Sequence, residues 1–97
     1  MSVVIVGGNE RMERQYEDIC SGYGYKAKVF TKENGTLKKK MGRPDLLILF
    51  TATASHKMVI SAAQEAKRNN IRVARVHSSS AAALHGVLSQ YAESMRA

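Results

Sequence analysis

The 97 residues carry 44% hydrophobic and 24% charged side chains, a balance typical of a soluble globular protein. This length predicts one small domain over residues 1–97 and leaves no room for a second. No apolar run approaches the ~18 residues of a membrane span, so we expect no membrane partner. The net charge of +7 favours an anionic partner, and a basic surface without a dedicated partner is the alternative.

The first residues and the cysteine content bear on the cellular compartment. Met1–Val6 runs straight into a strand pattern with no basic segment before it, so we expect no signal peptide. Cys20 is the single cysteine, so no intrachain disulfide can form, which favours a reducing compartment. The sequence therefore predicts a cytoplasmic protein.

Strand and helix patterns alternate along the first half of the chain. Val3–Val6 is a short apolar strand that runs through Gly7-Gly8 into a helix, for which Asn9 is the predicted N-cap. The buried stripe of that helix recurs at helical spacing and comprises Met12, Tyr16, Ile19, Cys20 and Tyr23. Tyr25–Thr31 then alternates as a second strand, and a one-turn helix over Leu37–Met41 follows it.

The second half of the chain repeats this alternation. Leu46–Phe50 is an apolar strand, and the helix after it has Ser55 as its predicted N-cap and ends at Asn69-Asn70. The buried stripe of this helix comprises Met58, Val59, Ala62, Ala63 and Ala66. Ile71–Val76 is a fourth strand, and Ser78–Ser80 can cap a last helix. The last helix buries Ala83, Leu84, Val87, Leu88 and Tyr91.

The charge pattern of the strands predicts their order in a sheet. Strands that alternate with helices are parallel and connected by right-handed crossovers. Val3–Val6 and Leu46–Phe50 are apolar throughout, as expected of central strands, whereas Tyr25–Thr31 and Ile71–Val76 carry basic side chains, as expected of edges. The sequence therefore predicts an α/β fold: a three-layer, Rossmann-like or flavodoxin-like domain with a four-stranded parallel sheet in the order 2-1-3-4.

This order predicts where a ligand would bind. In an open parallel sheet, ligands sit beyond the carboxyl ends of the strands, at the point where the strand order switches. The loops after the first and third strands flank that point, and the loop after the fourth strand leaves from the same edge. The predicted ligand-binding residues are therefore Gly7, Gly8, Asn9, Thr53, Ser55, His56, Lys57, His77, Ser78, Ser79 and Ser80.

The residue types in these loops favour a small anionic ligand, such as a nucleotide or a phosphate ester. Gly7-Gly8 allow close backbone approach, and free N–H groups at a helix start attract anions. His56 and Lys57 place cations at the positive end of a helix dipole, which costs ~0.3–1 kcal/mol that a bound anion would offset. The alternative reading gives the glycines a tight turn, Ser55 and the three later serines capping roles, and His56 a solvated position.

Catalytic and metal-binding readings have less support. His56 and His77 follow neighbouring strands and could begin a metal site or act as acid and base, but no third ligand is spaced to complete a site. The sequence contains no Ser-His-Asp order, no paired catalytic carboxylates and no CxxC motif. We therefore expect no metal and no cofactor, and we favour a binding or regulatory domain over an enzyme while leaving the enzyme class open.

A nucleic-acid-associated accessory protein is the alternative function. Its phosphate-contacting patch would comprise Lys32, Lys38, Lys39, Lys40 and Arg43. The same lysines could equally form a solvated helix face, and no interleaved aromatic residues support stacking on single-stranded bases.

A four-stranded sheet leaves two exposed edges and a small core, so we expect a homodimer. The fourth strand and the last helix are the predicted interface, because Ala81–Ala83 offers a flat patch of small side chains.

The whole pattern resembles the bacterial family called domain of unknown function 2325 (DUF2325). The resemblance rests on "VVIVGGNERMERQYEDICSGYG", "DLLILFTATASHKMV" and "IRVARVHSSSAAALHGVL", with the Ser55-His56 pair as the most specific element. It implies one Rossmann-like domain without an assigned activity, and it carries over only Gly7, Gly8, Ser55 and His56. Many relatives have histidines after the second strand and a cysteine before the Ser-His pair. This chain lacks both, which argues further against a metal.

Overall fold

The computed structural model describes residues 1–32 and 37–96, without the side chains of residues 38, 39 and 94–96. The elements in chain order are β1 (Ser2–Val6), a 3-10 turn (Glu10–Met12), α1 (Glu13–Gly22), β2 (Lys26–Phe30), α2 (Leu37–Met41), β3 (Leu46–Phe50), α3 (His56–Arg68), β4 (Arg72–Val76) and α4 (Ala81–Arg96). These bounds agree with the predicted elements to within a residue or two, except at the first helix. Thr36, which the sequence also offers as a cap for the one-turn helix over Leu37–Met41, lies outside the described residues.

The four strands form one parallel sheet in the order β2-β1-β3-β4, which confirms the predicted topology. Every residue of β3 is buried, as is every residue of β1 after Ser2, because helices cover both faces of the two central strands. The outer strands β2 and β4 contain no fully buried residue. A strand that is apolar throughout can avoid water only between two neighbours and two layers, so the apolar strands occupy the centre.

Two apolar layers enclose the sheet, one on each face. On one face, α1 and α4 pack Tyr16, Cys20, Leu84, Leu88 and Tyr91 against Val3, Ile5, Leu46, Ile48 and Phe50. On the other face, α2 and α3 pack Leu37, Met41, Met58, Ala62 and Ala66 against Val4, Val6, Leu47 and Leu49. The alternation of side chains along each strand therefore feeds both cores, which gives the predicted three-layer arrangement. Within the described residues, no helix is long and apolar enough to cross a bilayer.

Capping side chains set the starts of the helices at the carboxyl edge of the sheet. Ser55 Oγ accepts a hydrogen bond from the Met58 N–H at 3.2 Å, which confirms Ser55 as the N-cap of α3. Asn9 Oδ1 accepts from the Arg11 N–H, so Asn9 caps the 3-10 turn instead of α1 itself. The first α-helix therefore begins at Glu13, one 3-10 turn later than a directly capped helix would.

Cys20 is fully buried against the sheet, and its reactivity can be tested directly. Burial, with the nearby Glu17 carboxylate as a second cause, raises the pKa of the Cys20 thiol to about 11. Because the thiolate is the reactive form, we expect a chromogenic disulfide reagent at about pH 8 to label the native protein very slowly and the denatured protein completely. Fast stoichiometric labelling of the native protein would contradict this burial.

The homodimer remains a prediction, and a substitution on the outer edge of β4 can test it. Val73 in β4 is 36% exposed, which leaves an apolar side chain open to solvent on this edge strand. We expect light scattering at micromolar concentration to give twice the 10.7 kDa chain mass. Val73→Lys should then give a monomer, whereas Lys26→Thr on the opposite edge strand should leave the dimer intact. A wild-type chain that scatters as a monomer would rule out this assembly.

Candidate functional site

The loops after β1, β3 and β4 meet at the carboxyl edge of the sheet, as the strand order requires. The Gly8 N–H donates to Thr53 Oγ1 at 2.7 Å, which joins the loop after β1 to the loop after β3. The Ala52 N–H donates to the His77 carbonyl at 3.3 Å, which joins the loop after β3 to the loop after β4. The structure therefore links the segments that contain the predicted site residues.

The two glycines after β1 are required by close contacts. Gly7 and Gly8 have φ angles of 97° and 92°, in the left-handed region that other residues rarely adopt. A Cβ on Gly7 would lie 2.9 Å from the Phe50 carbonyl oxygen and 3.0 Å from the Ala54 Cβ. A Cβ on Gly8 would lie 2.7 Å from the Tyr16 ring. Gly7 thus lets the exit of β1 pack directly on the exit of β3, and Gly8 lets it pack on Tyr16.

The backbone N–H groups of this glycine loop are already used inside the protein. The Gly7 N–H donates to the Phe30 carbonyl at 2.9 Å, and the Gly8 N–H donates to Thr53. The Asn9 N–H donates to the Tyr16 hydroxyl at 3.3 Å. In this arrangement an anion would not find these three donors free, so the loop shapes the edge of the sheet more than it offers hydrogen bonds.

Tyr16, which the sequence predicts only as part of the buried stripe of a helix, holds two of these loops in position. Its side chain is fully buried, and its hydroxyl donates to the Ser79 carbonyl at 2.6 Å while accepting from the Asn9 N–H. Its ring packs on Phe50 with the centroids 5.4 Å apart. Tyr16 therefore ties the start of the first helical segment to the loop before α4. The sequence offers one sign of this bond: a tyrosine at a core position. A buried hydroxyl needs a hydrogen-bond partner, but the sequence does not identify it.

The amino end of α3 presents the exposed polar groups of this edge. The side chains of Ser55, His56 and Lys57 are exposed, and no acidic residue lies in the first turn. Ser55 Oγ accepts the Met58 N–H, while the N–H groups of His56 and Lys57 have no acceptor among the described residues. Two N–H groups, an imidazole and an ammonium are thus available at one helix terminus.

The three serines before α4 each have a local structural role. Ser80 Oγ accepts from the Ala83 N–H at 3.1 Å and caps α4. Ser78 Oγ accepts from the Ser80 N–H at 3.2 Å, and the Ser79 carbonyl accepts from Tyr16. His77 has an exposed side chain, and its carbonyl accepts from the Ala52 N–H. Turn geometry accounts for this serine run, and the exposed side chains of His77, Ser78 and Ser80 remain open to solvent.

The described residues contain no group of three or more histidine, cysteine or carboxylate side chains that could hold a metal ion. His85, the remaining histidine, lies in α4 with its ring centroid 6.0 Å from that of Tyr23. Cys20 is buried on the side of α1 that faces the sheet.

The structure describes part of the basic patch predicted for the alternative function. Lys32 pairs with Glu10 at 3.1 Å, and the side chains of Lys38 and Lys39 lie outside the described residues. Lys40 in α2 and Arg43 just after α2 are exposed. Two further lysines join them from β2, namely Lys26 and Lys28, and the Lys28 ammonium donates to the Lys40 carbonyl at 3.1 Å. Lys26 and Lys28 do not belong to the patch predicted from the sequence.

Comparison with protein families identifies the family of this chain. Residues 2–91 match the family described as an uncharacterized protein conserved in bacteria (DUF2325), and the chain therefore belongs to this family. The comparison with curated proteins finds no match, and neither does the comparison with solved structures. The family membership confirms the resemblance seen in the sequence and assigns no reaction to it.

The Tyr16 hydroxyl provides a test of how this edge is held together. Tyr16→Phe removes the hydroxyl that donates to the Ser79 carbonyl and accepts from the Asn9 N–H. Both backbone groups lose this partner, so we expect the free energy of unfolding to fall by ~1–3 kcal/mol. Urea denaturation followed by circular dichroism would measure it. Tyr23→Phe is the matched control, because its hydroxyl makes only an exposed 3.4 Å contact to the His85 carbonyl. Equal losses in the two variants would contradict the linking role of Tyr16.

Proposed function

We propose that this DUF2325 protein is a cytoplasmic binding or regulatory domain that holds a small anionic ligand, such as a nucleotide or a phosphate ester. The proposed position is the amino end of α3, at the carboxyl edge of the sheet. The observation that carries the proposal is the exposed first turn of α3, where His56 and Lys57 bring two cationic or protonatable groups and no acidic residue.

Helix electrostatics support this choice. The amino end of a helix carries a partial positive charge, and its first N–H groups lack acceptors inside the helix. A lysine side chain at that end is unfavourable by itself, so its presence at position 57 favours a counter-charge from outside the helix. An anion there would accept from the N–H groups of His56 and Lys57 and would neutralise the ammonium.

The contacts around α3 support a site formed before the ligand arrives. Thr53 is fixed by the Gly8 N–H, and Ala54 packs against Gly7, so the segment leading into α3 is held on both sides. A preformed loop loses less conformational entropy when it binds. Gly7, Gly8, Asn9 and Ser79 would therefore act by shaping the edge, whereas His77 and Ser78 could contribute exposed side chains near it.

An NMR titration tests the proposal. Sulfate, inorganic phosphate and adenosine monophosphate would each be added to isotope-labelled protein up to millimolar concentration. We expect the backbone amides of Ser55–Met58 and the His56 ring to shift. His56→Ala combined with Lys57→Ala should weaken binding by ~1.5–3 kcal/mol, the range for a hydrogen bond to a charged group. The matched control, His85→Ala with Lys67→Ala, removes the same residue types elsewhere and should bind normally.

A substitution at Ser55 separates capping from ligand binding. Ser55→Asp keeps an N-cap acceptor for the Met58 N–H but adds a negative charge at the proposed site. We therefore expect Ser55→Asp to retain the stability of the fold and to lose anion binding. Shifts confined to other surfaces, or undiminished binding by Ser55→Asp, would reject the site at α3.

A further inference from the structure

A second basic surface lies along the outer edge of β2, apart from the carboxyl edge of the sheet. It consists of the exposed side chains of Lys26, Lys28, Lys40 and Arg43, and we call it the β2 basic edge. Lys28 pairs in register with Val4, whose side chain lies in the layer under α2 and α3. Because side chains two residues apart share a face of a strand, Lys26 and Lys28 lie on this same side.

The shape of this edge leaves the four cations accessible. The helix α2 has only five residues, so it covers little of the β2 face. A cleft of about 150 Å³ is lined by Lys26, Lys28 and Arg43 together with the start of β1. A wider and shallower groove of about 510 Å³ continues around the strand edge to Lys40. The basic edge is therefore a concave, continuous surface, distinct from a set of scattered lysines.

Few carboxylates accompany these cations in the part of the chain that the structure describes. Among the described residues, none of the four cations forms an ion pair, in contrast to Lys32, which pairs with Glu10. Of the residues that the structure describes, Glu17 is the one acidic residue lining the groove, and the Asp45 carboxylate accepts from the Ser2 N–H. Like charges held together repel one another, so an anionic partner with several charges would lower the free energy of this surface.

We propose that the β2 basic edge binds the phosphate backbone of double-stranded nucleic acid without reading its sequence. A duplex presents one phosphate charge per ~1.7 Å of its axis, whereas Lys26 and Lys28 are spaced ~6.6 Å apart along the strand, so several phosphates fall within reach. Single strands are held by exposed aromatic side chains. Among the described residues that line the two clefts, the one aromatic side chain is Phe30, which is half-buried and packs against the layer under α2 and α3. A single half-buried ring does not offer successive bases a stacking surface beside these cations.

Fluorescence polarisation with a labelled duplex of about twenty base pairs, over a series of salt concentrations, tests this surface. Four phosphate contacts predict a slope of about −3.6 for log K against log salt, at about 0.9 per contact. Lys26→Ala, Lys28→Ala and Arg43→Ala combined should flatten the slope by about 2.7 and weaken binding at least about tenfold at low salt. The matched control, Lys67→Ala, Arg68→Ala and Arg75→Ala, removes the same net charge and should leave the slope within about 1 of the wild-type value.

Each other outcome overturns the proposal. Equal losses of duplex affinity in the two triple variants would show that binding depends on net charge alone. Absence of duplex binding by the wild-type chain at low salt would refute the proposed function of this surface. Tighter binding to a single strand of the same length would exclude the duplex. Equally tight binding to polyglutamate would assign the surface to acidic proteins. Thermal melting by circular dichroism of each variant would show that the compared proteins are folded.

Discussion

The pairing of β1 with β3 is the constraint on which the rest of the structure depends. Both strands carry apolar side chains on both faces, so each must lie between two neighbouring strands and beneath helices on both sides. That requirement puts β2 and β4 at the edges and divides the four helices into two layers. It also brings the carboxyl ends of β1 and β3 side by side, where the chain leaves the core through Gly7-Gly8 and through the polar segment before α3.

The junction at that edge is built from hydrogen bonds that span long sequence separations. Thr53 accepts from Gly8, and Tyr16 connects Asn9 to Ser79. These bonds satisfy backbone groups where the sheet ends and irregular loops begin, which are groups that would be costly to bury unpaired. They also use the donors that a glycine-rich loop would otherwise offer to an anion. The same contacts that fix the edge therefore move the available donors to the first turn of α3.

The sequence predicts the elements that depend on local patterns, and it predicts less where distant residues meet. Strand order follows from which strands carry lysine or arginine, and the Ser55 cap follows from a serine before a helical stripe. The Tyr16 bond was missed because phenylalanine would satisfy the same apolar spacing. The use of the Gly8 N–H was missed because its acceptor lies 45 residues away. Lys26 and Lys28 could not be assigned to the patch from the sequence, because they lie near Arg43 only once β2 pairs in parallel with β1.

A parallel sheet has two chemically different ends, and the two proposed surfaces follow from that asymmetry. The carboxyl edge collects helix amino ends, whose partial positive charge and free N–H groups suit a small, compact anion. The β2 basic edge extends from the amino end of its strand and offers ammonium and guanidinium groups on flexible stems, which suit an extended polyanion. No residue belongs to both surfaces, so changing one leaves the contacts of the other in place. A chain that bound both kinds of anion could therefore respond to a small ligand while it remained on nucleic acid.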